Sequence, residues 1–361
     1  MAASAFEAPL ETAADWVVLA DWLAERGDPR GAWLQLEQHT ATLDEGPARA
    51  RLEARLVGEF APIGAARIDA LTRELGKGTR AWIDWDWRCG LLTRVRISPG
   101  LDVLASLIVK TLTTLLDSSA ALALADLHLG DVAPAIARKA LLAGPPRPSL
   151  SRLTFGNFRE PVGKLAPLAA KLPNLRELEL RGPGIDLADT RLPALHTLRL
   201  HGEEALDEAI LELGRGAFTK LRALDLRLGG RRYASSPAPE ALLAGLLAGA
   251  ATPELRHLGL SAVEFADPMV QWIADSALLP RLSTLDLSDS WLTNQGAETL
   301  LARADRFEHL EQIELSACHV DEDHELALVE RFGERVTLGL QVHGMRWDPE
   351  TRAFIREADD D

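Results

Sequence analysis

A six-residue apolar spacing, Leu-x-x-Leu-x-Leu, recurs over most of this 361-residue chain and limits its fold more than any other feature. Clear copies start at Leu124, Leu150, Leu175, Leu195, Leu221, Leu255, Leu282 and Leu310, and weaker copies start at Leu92 and Arg335. Successive starts lie 20 to 34 residues apart. One repeat of this length cannot bury its own apolar face, so neighbouring repeats must stack, and the spacing predicts a repeat solenoid.

Each copy predicts one short strand, in which the leucines at positions 1, 4 and 6 point into the core and the residue at position 5 points outward. Helical segments follow the strands, for example over residues 241–247, 270–278 and 296–303. Two steps are irregular. The 20-residue step after Leu175 is too short for a full helix and predicts an extended segment over 182–186, and the 34-residue step after Leu221 carries an insertion over 229–239.

The stretch from Leu282 to Leu300 resembles a leucine-rich repeat of the ribonuclease-inhibitor type. This resemblance implies an α/β solenoid in the form of a horseshoe, with a parallel sheet on its concave face and helices on its convex face. We expect about ten repeats over residues 91–345.

The first 90 residues lack the repeat and hold six of the nine tryptophans. Thr12 and Asp15 match a capping box that opens a helix, and Gly27 matches a left-handed helix end. The pair Asp28-Pro29 predicts the start of a second helix. A third, charged helix is expected over residues 47–59.

The segment 19–36, with its core Asp21-Trp22-Leu23 and Glu25 to Gly31, resembles the repeat-companion domain that precedes the repeats of some bacterial leucine-rich-repeat proteins. The chain departs from that pattern at Ala32-Trp33. The resemblance implies a helical capping module over 1–90, a bacterial setting and no assigned catalytic activity. At the other end we expect a last strand with Leu338 and Leu340, and then, over 346–361, a cap helix with Phe354 and Ile355 and an acidic tail.

Composition narrows the class of protein. The net charge of −15 disfavours nucleic-acid binding, which depends on cations that neutralise phosphates. Two cysteines, Cys89 and Cys318, imply no disulfide framework. We expect a cytoplasmic protein without membrane association, because the first residues lack a basic segment followed by an apolar one and no apolar run is long enough to span a bilayer.

Motifs for chemistry are missing from the sequence: it has no phosphate-binding loop, no Gly-x-Ser-x-Gly elbow and no paired metal-ligand motif. We therefore expect no enzymatic activity, no cofactor and no metal. Three other interpretations are weaker: a metal site over 318–324 where a solvated acidic loop is simpler, a histidine cluster of His196, His201 and His257, and a DNA-binding helix pair at the N-terminus.

The residues between the leucines carry the functional hypothesis. Arginine and histidine recur at outward positions of the central repeats, and the insertion adds two arginines and the only tyrosine. The candidate partner-binding residues are Arg176, Arg181, His196, Arg199, His201, Arg222, Arg227, Arg231, Arg232, Tyr233, Arg256 and His257. They favour an interaction scaffold for a protein or peptide on the concave face. The alternative is a regulator of a partner enzyme, either an inhibitor or a GTPase-activating protein.

Overall fold

The computed structural model describes residues 10, 12–76, 78–100, 103–202, 206–216, 218–229, 239–342, 345–348 and 353–356. The chain forms two compact units. The first comprises Met1–Asn157 and Pro167–Arg176, and the second comprises Phe158–Ala166 and Glu177–Asp361. This division does not coincide with residue 90, where the sequence places the start of the repeats.

The first unit begins with helices and continues with strands that alternate with helices. Its helices are α1 (Ala13–Glu25), α2 (Pro29–Ala41), α3 (Pro47–Arg55), α4 (Ala61–Leu75), α5 (Ala105–Asp117) and α6 (Pro134–Leu142). Its strands are β1 (Ile83–Arg88), β2 (Leu91–Ile97), β3 (Asp126–Leu129) and β4 (Arg152–Phe155). Strand β2 pairs in parallel with β3, and β3 with β4, which places Arg96, His128 and Thr154 in one row.

The predicted start of the chain's helical region is confirmed. Thr12 and Asp15 form a reciprocal capping box on α1, Gly27 has a φ of +69°, and Asp28 caps α2 directly before Pro29. The third helix is longer than predicted, because α3 passes through a π-helical turn, Leu56–Phe60, into α4.

Strand β1 is an element that the repeat spacing does not reveal. It pairs antiparallel with β2, and the chain turns at Cys89 and Gly90, whose φ angles are 47° and 73°. Positive φ at both central residues is typical of the tight type I′ turn of a hairpin. The module preceding the repeats is therefore not wholly helical.

Helices α1 and α2 approach closely at Gly31. A Cβ atom at this position would lie 2.6 Å from the Ala20 carbonyl oxygen and 2.9 Å from the Ala24 Cα atom, so only glycine permits this distance between the two backbones. Around the contact, Leu19, Ala20, Leu23, Leu34 and Cys89 are buried, and Trp16, Trp22 and Trp33 pack against them. These tryptophans therefore serve as packing residues.

Short helix α7 (Ala166–Ala169) lies where the sequence passes from one unit to the other. The strands of the second unit are β5 (Gly163–Lys164), β6 (Glu177–Arg181), β7 (Ile185–Asp186), β8 (Thr197–His201), β9 (Ala223–Arg227), β10 (His257–Ser261), β11 (Thr284–Asp286), β12 (Gln312–Glu314), β13 (Val336–Thr337), β14 (Met345–Asp348) and β15 (Ala353–Arg356). The helices that lie wholly in the second unit are α8 (Asp207–Gly214), α9 (Pro239–Leu247), α10 (Ala266–Ala274), α11 (Asn294–Ala302), α12 (Ala304–Phe307) and α13 (Glu322–Phe332).

The leucine spacing sets the register of the second unit. Strands β6, β8, β9, β10, β11, β12 and β13 pair in parallel in this order. Position 4 of the repeat brings Leu198, Leu224, Leu258 and Leu285 side by side, and each is at most 1% exposed. Full burial of a leucine contributes about 1.5–3 kcal/mol, so a change of register would lose several such contributions at once.

The short step after Leu175 contains strand rather than helix, as predicted. Its Ile185–Asp186 segment forms β7, which pairs in parallel with β5. Two predictions for the C-terminus are wrong. The last strand of the parallel series is β13 at Val336–Thr337, and Leu340 is 87% exposed. Residues 353–356, expected in a cap helix, form β15, which pairs antiparallel with β14.

Candidate partner-binding face

The outward side chains of β6, β8, β9, β10, β11 and β12 form a surface that we call the strand face. It holds five of the predicted site residues: Arg181 on β6, Arg199 and His201 on β8, Arg227 on β9 and His257 on β10. Three more, His196, Arg222 and Arg256, directly precede β8, β9 and β10. Arg176 belongs to the first unit, and Arg231, Arg232 and Tyr233 lie outside the described residues.

Parallel register aligns position 5 of the repeats in one row across the strand face. In order, this row reads Glu179, Arg199, Asp225, Gly259, Asp286 and Glu314. Charges of opposite sign therefore alternate over its first three members. Neighbouring strands lie about 4.8 Å apart, so side chains of this row are within reach of one another.

Asp225 is the centre of a group of interacting side chains. Its carboxylate forms an ion pair with Arg199 Nε at 3.2 Å and lies 2.6 Å from His257 Nε2. The other ring nitrogen of His257, Nδ1, lies 2.5 Å from Thr284 Oγ1. Both polar atoms of the imidazole are thus occupied, which fixes the orientation of the ring.

Electrostatics keep Asp225 charged. Partial burial raises the pKa of this carboxyl, but the hydrogen bond from His257 and the positive charges around it outweigh burial, and the pKa lies below its usual value. Gly259 contributes by leaving space, because a Cβ atom there would overlap Asp225 Oδ1. The Asp225 carboxylate therefore fits in this row because Gly259 has no side chain.

A second cluster lies on β6 and β8. Arg181 Nε donates to Glu179 Oε1 at 2.7 Å, and His201 Nε2 lies 3.6 Å from the same oxygen. Burial lowers the pKa of His201 more than the nearby Glu179 raises it. On β9, Arg227 donates to Asp289, a residue that the sequence did not single out.

The structure therefore brings predicted arginines and histidines together on one surface, but it pairs them with carboxylates that the prediction of a basic patch did not include. Arg181 and Arg199 each have a carboxylate partner on the strand face, and Arg227 pairs with Asp289, which lies just beyond the end of β11. The sequence showed Glu179 and Asp225 at position 5, but the composition of a row does not reveal which side chains pair. The strand face is a network of alternating charges rather than a uniformly basic patch.

Position 2 of the repeats differs from this network. His196, Arg222 and Arg256 precede three neighbouring strands, and backbone hydrogen bonds hold them in register: Arg222 N–H donates to His196 O at 2.8 Å, and Arg256 N–H to Arg222 O at 2.9 Å. We call these three residues the basic row. Arg222 and Arg256 are exposed.

Metal-binding interpretations find no geometric support among the described residues, where no three His, Cys, Asp or Glu side chains are placed to hold an ion. Cys318 points into the core and donates to Leu287 O at 3.4 Å, and burial raises its pKa to about 12. His324 instead lies 2.7 Å from Asp321, next to the N-terminus of α13.

The order of hydroxyl, imidazole and carboxylate in Thr284, His257 and Asp225 also occurs in hydrolases. Such enzymes need further donors aimed at a developing oxyanion. Here the backbone N–H of Thr284 donates to Arg256 O at 3.1 Å, so it is already used within the sheet. We interpret the chain of hydrogen bonds as an ordering device for the surface.

No protein-family model and no curated protein sequence matches this chain. Among solved structures it is similar to a Bacteroides fragilis protein from a structural genomics programme, with 18% identity and a TM-score of 0.53. The match covers 61% of this chain and 65% of that protein, and it concerns the fold alone. An internalin of Listeria monocytogenes matches with 12% identity over 80% of this chain and 78% of its own, at a TM-score of 0.35, which is too low to establish a common fold.

The parallel strands and the burial of the repeated leucines describe a mixed α/β, leucine-rich-repeat-like fold. The ribonuclease-inhibitor type of the repeats and the repeat-companion module remain predictions. None of the described helices is long and apolar enough to cross a membrane.

Proposed function

We propose that this chain is a non-enzymatic, cytoplasmic interaction scaffold that binds a protein or peptide on the strand face. The observation that carries the proposal is the separation of roles within each strand. Leucines fill the inner side and are buried, whereas the outer side presents ordered charged and polar side chains. The proposal includes a horseshoe form for the repeats and a capping role for the N-terminal helices, both of which follow from the family resemblance.

Order is what makes such a surface suitable for recognition. Arg199, Asp225 and His257 hold one another in place, so a partner would lose little side-chain entropy on meeting them. Charge pairs of this kind contribute to orientation and association rate more than to affinity. The alternative role, an arginine offered to a phosphoryl group, is not favoured by Arg181 and Arg199, because their carboxylate partners, Glu179 and Asp225, are only 18% and 28% exposed and hold them in place.

Site-specific photo-crosslinking in the source cell tests the proposal. A photoreactive residue replaces Thr197 on the strand face, and the matched control replaces Leu211, an exposed residue of α8 that is 43% accessible. We expect one partner to be crosslinked from position 197 and not from position 211. Equal labelling from both positions, or labelling that survives the double charge reversal Arg199→Glu and Asp225→Arg in a folded protein, would overturn the proposal.

A further inference from the structure

The basic row stands apart from the paired charges of the strand face. Arg256 Nη1 donates to the carbonyl oxygen of its own neighbour, Leu255, at 2.9 Å, and among the described residues it has no ion pair. Arg222 has one, with Glu254 at 3.1 Å, but the two side chains are 63% and 44% exposed. An ion pair this exposed is weak and exchanges readily for another anion.

The three positions have a defined spacing. Because His196, Arg222 and Arg256 precede successive parallel strands, two strand separations, or about 9.6 Å, span the row. Carboxylates one heptad apart on a helix are about 10.5 Å apart along its axis. On an extended peptide, side chains on the same side four residues apart are about 13 Å apart. The spacing fits acidic side chains on one face of a helix better than those of a strand.

From these observations we propose that the basic row binds an acidic helix of a partner protein, laid across the starts of β8, β9 and β10 with carboxylates at positions i, i+3 or i+4, and i+7. This inference rests on the proposed function and specifies its partner. The net charge of −15 opposes a long polyanion such as a nucleic acid, whereas a short helix brings only a few negative charges.

Glu254 should weaken the binding of an acidic helix, because its carboxylate competes with the partner for Arg222. Replacing it with glutamine removes the competing charge and leaves a side chain of similar size. A gain of affinity in Glu254→Gln cannot come from misfolding, which makes this variant the decisive one.

The probe is a fluorescein-labelled, alanine-rich helical peptide with glutamates on one face, titrated with the full chain at low salt and followed by anisotropy. The control peptide carries glutamines instead. We expect Arg256→Gln to weaken binding about threefold to fivefold and Glu254→Gln to tighten it about twofold to threefold. The matched control is Arg215→Gln at the end of α8, a 69% exposed arginine outside the row, which should leave binding unchanged.

Three results of the titration would overturn the inference: binding of the glutamine peptide as tight as that of the glutamate peptide, no change of affinity in Arg256→Gln and Glu254→Gln, or equally tight binding of a single-stranded oligonucleotide. Circular dichroism of each variant confirms that it is folded. The crosslinking experiment at Thr197 gives an independent readout. A partner captured there without an acidic helix leaves the proposed function standing and refutes only this inference.

Discussion

The Arg30 guanidinium binds the Asp28 carboxylate through two parallel hydrogen bonds, Nε to Oδ1 at 2.9 Å and Nη2 to Oδ2 at 2.6 Å. Its third donor, Nη1, reaches the carbonyl oxygen of Ser119 at 2.7 Å. Arg30 is 2% exposed, so these acceptors replace its water. One side chain therefore joins the start of α2 to the segment that follows α5, within the first unit.

We expect Arg30→Met to destabilise the first unit by about 2–4 kcal/mol, because it removes three hydrogen bonds and leaves only the Arg67 guanidinium, 3.6 Å away, beside the partly buried Asp28 carboxylate. The measurement is urea unfolding followed by tryptophan fluorescence, since six of the nine tryptophans lie in this part of the chain. Arg49→Met is the matched control, since Arg49 forms an exposed i,i+4 pair with Glu53 and its loss should cost below about 1 kcal/mol. Equal losses in the two variants would contradict the assigned role of Arg30.

The close contact of α1 and α2 makes Gly31 sensitive to a single methyl group. Gly31→Ala places that group against the backbone of Ala20 and Ala24, and we expect a loss of about 1–3 kcal/mol. Gly58→Ala, at a site with open space in the turn Leu56–Phe60, should instead stabilise the chain by about 0.5–1 kcal/mol. Urea unfolding followed by tryptophan fluorescence measures both changes in stability. Stabilisation by both substitutions would refute the steric argument.

The effects of substitutions at Gly259 and Asp225 on the free energy of unfolding should depend on each other. Gly259→Ala forces the carboxylate away from His257, and we expect it to cost about 1–3 kcal/mol. In an Asp225→Ala background, the added methyl group meets no carboxylate and should cost much less. A double-mutant cycle of thermal unfolding measures this coupling, and additive effects within about 0.5 kcal/mol would argue against it.

His201 should make stability depend on pH. Burial lowers its folded-state pKa below the ordinary value of 6.5, so the unfolded chain binds the proton more tightly. Stability is therefore fully present above pH 6.5 and is lost as pH falls through the folded pKa. The free energy of unfolding, measured in urea between pH 7.5 and 5.5, should decline less steeply in His201→Asn than in the wild type, and identical slopes would exclude this contribution.

Local signals in the sequence were sufficient where the physics is local. The capping box at Thr12, the turn at Gly27 and the helix start at Asp28-Pro29 each depend on residues within a few positions, and all three are present. The predictions for the C-terminus were wrong because they also used local signals only.

Asp348-Pro349 matches a helix start by itself, but residues 345–348 and 353–356 pair as two strands. Pairing between two segments cannot be predicted from the residues of one segment alone.

The sequence by itself determined the parallel register and the buried side of each strand, because a repeated leucine can satisfy its spacing only by stacking on the next one. Only the tertiary structure decided what the polar residues do. It paired Arg199 with Asp225 and Arg227 with Asp289, residues 62 positions apart in the second case, and it buried Arg30 against a carbonyl 89 residues away. These partners are far apart in the sequence and meet only in the folded chain. The fold therefore determines which partner each charged side chain has.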